Sequence, residues 1–367
     1  VGTLPMNPRV RVLHVIDSFD LGGGQTALLN LLRAANRDRY EIEVACMHGR
    51  GVFWEEFAKL GVPVHSLSPR KWLPLYVPRL ASLIRARRFD IVHSHLFGAN
   101  WIGKPIAALL GVPVRINHDQ CNDALRHDSL AARALDTFTN RWSSHICAVS
   151  KSTRDFLIDR EGLPPERVSL VYNGVDLARF VPPEVRAGHQ PFIVLGVGRL
   201  HPQKNFALFL EVAQRLAEVE FRIAGTGPEE PMLRALAASL GIADRVKFLG
   251  HVSDIRTLYA DADALLMTSR FEGTPLTVLE AMAMRVPIVA PHLDGIGEIL
   301  KDGEDALLVD PPVRDGFVAA LARLIAEPAL AQRLAKAAEA KVRARFSAEA
   351  MATHVEAIYE RCLDAAR

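Results

Sequence analysis

The sequence predicts an α/β protein of two domains, each a parallel sheet covered by helices, on three observations. At 367 residues the chain exceeds one ordinary hydrophobic core and suits two. Short apolar runs alternate with helical patterns, and parallel neighbours require such crossover connections. The alternation stops at a polar, proline-bearing stretch, Phe180 through Pro182-Pro183 to His189-Gln190-Pro191, and then restarts, which marks a linker.

The first strand is Val10-Arg11-Val12-Leu13-His14-Val15-Ile16, followed by a glycine turn and a helix from Thr26 to Ala35. Further strands are expected at Ile42 to Cys46, Val62 to Ser66, Ile91 to His93, Val114 to Asn117, His145 to Val149 and Val168 to Val171. Past the linker, strands are expected at Ile193 to Val197, Phe221 to Ala224, Val246 to Leu249, Ala264 to Met267, Pro287 to Ala290 and Leu307 to Val309. From Pro328 onward the pattern is all helix. The expected domains are 1–180 and 181–345, with a final helix at 346–367. Ligands of open parallel sheets sit beyond the carboxyl ends of the strands, so two facing sheets are expected to form a cleft.

Composition narrows the function. With 49% hydrophobic and 23% charged residues the chain is globular, and no apolar run approaches the ~20 residues that cross a bilayer. The start, Val1 to Arg9, lacks a signal-peptide core, so the expected location is the cytoplasm. Cys46, Cys121, Cys147 and Cys362 show no paired spacing, which argues against a disulfide framework and a zinc site. A formal charge of +2 excludes bulk-charge binding of polyanions such as nucleic acid. One local patch, Arg70-Lys71-Trp72-Leu73-Pro74-Leu75-Tyr76-Val77-Pro78-Arg79 with Arg85-Ala86-Arg87-Arg88, reads equally as a peripheral membrane contact at the inner face of the plasma membrane or as a solvated loop and helix end.

The most informative segment is Arg270-Phe271-Glu272-Gly273-Thr274-Pro275-Leu276-Thr277-Val278-Leu279-Glu280. Pro275 fits the first turn of a helix and Thr274 can cap it, which leaves Glu272 in a loop and Glu280 inside the helix. The amides from Gly273 to Leu276 would then be unpaired between two carboxylates. Such a site suits a sugar nucleotide: amides hold a diphosphate, and carboxylates accept hydrogen bonds from sugar hydroxyls. Two glutamates alone would be ordinary surface residues, but here cations and glycine loops accompany them.

After the first strand of the second half, Gly198-Arg199-Leu200-His201-Pro202-Gln203-Lys204 places Arg199 and Lys204 on one loop, where they would neutralise a leaving diphosphate without metal. No Gly-Lys-Ser/Thr follows, so this is not a Walker loop. Gly225-Thr226-Gly227 and the turn at Val252 either shape a nucleoside pocket or are plain turns. In the first half, Gly22, Gly23 and Gly24 let the backbone approach a ligand closely. A dinucleotide fingerprint would also want an acid near the end of the second strand, where Val44-Ala45-Cys46-Met47 has none. Of the histidines at strand ends, His118 ranks first as a ligand of a hydroxyl, His95 second, and His93 reads as structural.

Together these motifs resemble the family-four retaining glycosyltransferases of GT-B fold, two facing Rossmann-like domains with an interdomain cleft, over essentially the whole chain. Ala148-Val149-Ser150-Lys151 and Asn173-Gly174-Val175-Asp176 share the likeness. The resemblance implies that Glu280 holds the nucleotide ribose, Glu272 the donor sugar, Arg199 and Lys204 the diphosphate, and His118 a sugar hydroxyl. It implies phosphate and sugar contacts for Gly22 to Gly24 and a final helix returning to the first domain. Gln25, Arg285 and Asp294-Gly295-Ile296-Gly297-Glu298 depart from the commonest pattern. The implied reaction is retaining, metal-independent transfer from a UDP- or GDP-sugar, with no cofactor, to a glycan, lipid-linked or small-molecule acceptor, whose contacts are expected between Cys121 and Trp142. A nucleotide-sugar epimerase and a non-catalytic sugar-nucleotide binder are the alternatives.

Overall fold

A computed structural model describes residues 9–68, 75–120, 129–184 and 188–367. Cys121, residues 70–74 of the basic aromatic stretch, residues 121–128 of the expected acceptor region and residues 185–187 of the linker lie outside them. The chain forms two compact units, Val1–Tyr172 with Ala348–Arg367, and Asn173–Ser347.

The first unit carries a seven-stranded parallel sheet in the order β3-β2-β1-β4-β5-β6-β7. Its strands are β1 (Val10–Ser18), β2 (Tyr40–His48), β3 (Val64–Ser66), β4 (Ile91–His95), β5 (Val114–Asp119), β6 (His145–Ala148) and β7 (Val168–Leu170). Its helices are α1 (Gly23–Ala34), α2 (Trp54–Ala58), α3 (Tyr76–Arg87), α4 (Phe97–Leu109), α5 (Leu130–Asn140) and α6 (Lys151–Asp159). The second unit holds a six-stranded parallel sheet in the order β10-β9-β8-β11-β12-β13. It is built from β8 (Phe192–Val197), α7 (Phe206–Arg215), β9 (Val219–Ala224), α8 (Glu230–Ser239), β10 (Val246–Gly250), α9 (Ile255–Asp261), β11 (Ala264–Leu266), α10 (Leu276–Ala283), β12 (Ile288–Pro291), α11 (Asp294–Gly297), β13 (Leu307–Val309), α12 (Arg314–Ala326) and α13 (Pro328–Arg345). Both are Rossmann-like. No described helix is long and apolar enough to cross a membrane.

The expected strands form, with ends shifted by a few residues. The tail is not one run of helix: α13 ends at Arg345, and α14 (Ala348–Ala366) starts after a break. At that break the Phe346 amide still donates to Val342 O, but its carbonyl accepts the Val175 amide at 2.9 Å. Helix α14 belongs to the first unit and lays Met351, Ala352, Val355, Ile358 and Tyr359 into the core formed by β1, β2 and α1. Arg39 and Tyr40 both bond the Glu360 carboxylate, pinning the helix at its polar edge.

Alternation along four adjacent strands puts His14, His93, His95, His118 and Cys147 on the face that α14 covers. His14 pairs in register with His93, His95 with His118, and His118 with Cys147. A His14 nitrogen lies 2.9 Å from one of His95, and His93 Nδ1 lies 2.6 Å from the Tyr359 hydroxyl on α14. Burial, helped for His14 by the Arg37 cation, pushes His14 down to about 3 and His118 to about 4, with His93 and His95 also well below the ordinary range. All four are neutral at pH 7.

Two outcomes follow from this packing. Ile358→Ala should lower stability by about 2–5 kcal/mol in denaturant titration, the cost of a buried cavity. Because the folded histidines hold protons less well than unfolded ones, their stabilisation is full above pH ~6.5 and is lost as pH falls toward 4. The unfolding midpoint should therefore drop across that window, and less so in a His118→Gln variant.

Candidate functional site

In the second unit three strand-to-helix turns stack at the carboxyl edge of the sheet. The Gly198 amide donates to Ala224 O, Leu200 to Thr226 O and Gly225 to Gly250 O, at 2.8 to 3.0 Å. A Cβ on Gly225, whose φ is +143°, would lie 1.9 Å from the Gly198 carbonyl oxygen, so only glycine fits. Gly225 thus holds the Arg199 loop against its neighbour. This is a packing role the sequence did not reveal.

Across the edge, Thr268 Oγ1 bonds the carbonyls of Lys204 and Asn205, and Gln203 Nε2 bonds Phe271 O at 3.0 Å. These ties bring two distant loops together. Lys204 Nζ reaches Glu272 Oε1 at 2.5 Å, both side chains being largely buried. A Cβ on Gly295 would sit 2.1 Å from Gly273 O, so the backbone of α11 presses directly against the loop that carries Glu272.

Helix α10 begins one residue later than expected. Pro275 occupies the cap position with extended ψ and makes no side-chain cap. The first turn is consequently uncapped, and among the described residues the amides of Gly273, Leu276 and Thr277 have no acceptor. The Thr277 hydroxyl beside them is buried without a partner. Unpaired donors at the start of a helix attract an anion. Arg199 stands on the neighbouring loop with no ion pair among the described residues. Val252 follows β10 in the loop before α9.

Glu280 lies one turn further along α10, 6% exposed. Tyr259 on α9 donates its hydroxyl to Glu280 Oε2 at 2.9 Å. Burial raises Glu280 to about 7, against the opposing pull of the Tyr259 hydrogen bond and the Arg179 cation. Arg285, noted as a departure, takes the left-handed conformation that favours glycine, φ +53°, and its guanidinium binds Glu339 on α13. That ion pair and a satisfied helix end account for an arginine there.

In the first unit Gly22 caps α1, and the amides of Gly23 and Gly24 have no acceptor among the described residues. Gln25 folds back, donating to Ser18 O at 3.0 Å, so it braces the loop. Asp17, unmarked by any motif, accepts the amides of Gly98 and Ala99 and so fastens the end of β1 to the start of α4. His118 is 1% exposed, stacks on His93 and His95, and leaves both ring nitrogens without a hydrogen-bond partner among the described residues. Arg79, from the basic stretch, donates to Leu67 O and lines a cavity of about 610 Å³ with Arg50, Trp54 and His65.

Known proteins bear directly on this architecture. The family model described as Glycosyltransferase Family 4 matches residues 21–179, and that for Glycosyl transferases group 1 matches residues 180–341. The UDP-Gal:alpha-D-GlcNAc-diphosphoundecaprenol alpha-1,3-galactosyltransferase of Escherichia coli is 27% identical over 266 residues, 67% of this chain and 68% of its own. The alpha-D-kanosaminyltransferase of Streptomyces kanamyceticus is 28% identical over 313 residues, 78% of this chain and 81% of its own. Among solved structures, Anabaena HepE in complex with UDP-glucose superposes with a TM-score of 0.84 at 21% identity, covering 96% of this chain and 100% of that one. Matched across both units, the chain belongs to the family-four glycosyltransferases and has their GT-B type of architecture.

Proposed function

We propose that this glycosyltransferase moves a sugar from a nucleoside diphosphate donor, UDP-linked in preference to GDP-linked, to an acceptor hydroxyl with retention at the anomeric carbon. The observation that carries the reading is the uncapped first turn of α10, with its free amides beside the Lys204–Glu272 pair. A diphosphate satisfies those amides, and Arg199 and Lys204 offset its charge. The UDP-linked donor of the E. coli relative supports the choice of base.

Glu272 fixes Lys204 Nζ before the donor arrives, leaving its other protons to face a phosphate oxygen, and presents its second oxygen to a sugar hydroxyl. Glu280, as a carboxylate, accepts from the ribose hydroxyls. Gly225 and Val252 bound the nucleoside side. In the chemical step the bond from the anomeric carbon to the phosphate oxygen breaks with its electron pair going to the diphosphate. The acceptor oxygen bonds the same face of the oxocarbenium-like sugar, and its proton passes to the departing phosphate oxygen. The protein supplies no nucleophile; Arg199, Lys204 and the amides stabilise the leaving charge.

Lys204→Ala should lower kcat about 10²–10³-fold with a soluble UDP-sugar, the usual loss for one preorganised oxyanion partner, and EDTA should leave the parent rate unchanged. Equal rates for variant and parent would sink the charge-stabilising role. Because Glu280 must be ionised to accept ribose and its folded value is about 7, the donor KM should fall as pH rises from 6 to 8. Glu280→Gln should bind donor weakly and lose that pH dependence.

A further inference from the structure

Helix α5 is built inside out. Leu130, Ala131, Ala134, Leu135 and Phe138 recur at the spacing of one helix face, and that face points to solvent. Leu130, Leu135 and Phe138 remain 74%, 43% and 49% exposed. The opposite face is polar and buried. Asp136 accepts Trp101 Nε1 at 3.0 Å, while Asn140 Oδ1 accepts Lys104 Nζ at 2.6 Å and Asn117 Nδ2 at 3.2 Å. Asn140 Nδ2 in turn donates to Glu161 at 2.9 Å. A surface helix ordinarily turns its apolar side inward. Here the buried hydrogen bonds fix the rotation the other way and hold an apolar strip in water.

Among the described residues of α5 and its C-terminal end, the charges that reach solvent are positive. Asp136 is the acid of α5, and it is buried; Arg133 flanks the strip and Arg141 follows its end. The Arg141 guanidinium lies 5.6 Å from the Phe138 ring centre, and Phe138 meets Trp142 edge-on at 4.9 Å. An apolar face with aromatic residues at one end, arginines at its edge and no exposed acid on the helix itself fits lipid tails and anionic headgroups. A second copy docking by the same face would bring arginine toward arginine. We propose that the outward face of α5 seats the protein on an anionic bilayer surface, peripherally, with Leu130, Leu135 and Phe138 in the headgroup boundary.

The test is flotation of the full chain with vesicles of phosphatidylcholine alone and of phosphatidylcholine with phosphatidylglycerol. The parent should float with the anionic vesicles and far less with the neutral ones. Leu135→Glu and Phe138→Glu should each weaken that binding roughly tenfold or more, with circular dichroism and melting point unchanged. Val52→Glu, on the same unit outside α5, should bind like the parent. If a glutamate variant misfolds, Phe138→Ser, which removes apolar area without adding charge, should still reduce binding. Absence of parent binding to anionic vesicles overturns the proposal, as does binding that Phe138→Ser leaves intact. So does a parent dimer in sedimentation that the α5 variants dissolve, which would assign the face to a second copy.

Discussion

Backbone pressed against backbone at the carboxyl edge of the second sheet is the constraint on which the donor-side loops depend. Parallel strands deliver every strand-to-helix turn to one edge, where the turns must share little space. The chain solves this with glycine where a Cβ would meet a carbonyl oxygen, at Gly225 against Gly198 and at Gly295 against Gly273. The turns then bond one another directly, Leu200 to Thr226 and Gly225 to Gly250. A stack held by main-chain contacts has few rotatable bonds, so the side chains it carries inherit a fixed origin.

Charge placement follows from that rigidity. Lys204 and Glu272, 68 residues apart, meet because Thr268 and Gln203 tie their loops together. A largely buried ion pair gains little net stability, since desolvation offsets most of the Coulomb attraction. Its value lies in orientation: the Glu272 carboxylate, on the loop that leads into α10, holds the ammonium in one place. Glu280 is a different case. With no ion pair among the described residues, it relies on Tyr259 for one hydrogen bond, and burial lifts its proton affinity toward neutrality. Such a carboxyl keeps capacity to accept further hydrogen bonds.

The sequence carried the α/β alternation, the break between halves and the glutamate segment because each is written in local pattern. Periodicity marks strands and helices, and a proline with small residues marks a helix start. It did not carry the partners. Asp17 holding α4, Tyr259 holding Glu280 and Glu339 accommodating Arg285 each join residues at least 21 positions apart through tertiary packing. The surroundings of His118 were hidden for a related reason. A histidine near the end of a strand is open or sealed according to what covers the sheet, and here α14 arrives from the far end of the chain to lay Tyr359 on His93, against which His118 stacks. The break between α13 and α14 was hidden likewise, since Val175 supplies the competing hydrogen bond.

The first unit buries polar groups in two ways that explain each other's limits. The histidine cluster is kept neutral by desolvation, so its rings pack as flat, weakly polar bodies beneath α14 and carry no charge that demands a partner. Lys104 cannot be treated so. It sits fully buried 4.0 Å from Asp136 and bonds Asn140, so α5 must face inward with exactly those polar residues that a surface helix would show to water. Rotating α5 to hide Leu135 and Phe138 would take Asn140 and Asp136 away from Lys104, at a cost of about 1–3 kcal/mol for a buried hydrogen bond to a charged group. Burying two partly exposed side chains would return less. The apolar strip is therefore the consequence of satisfying a buried cation, and it is stable in water without a covering partner, which leaves it available to a lipid surface.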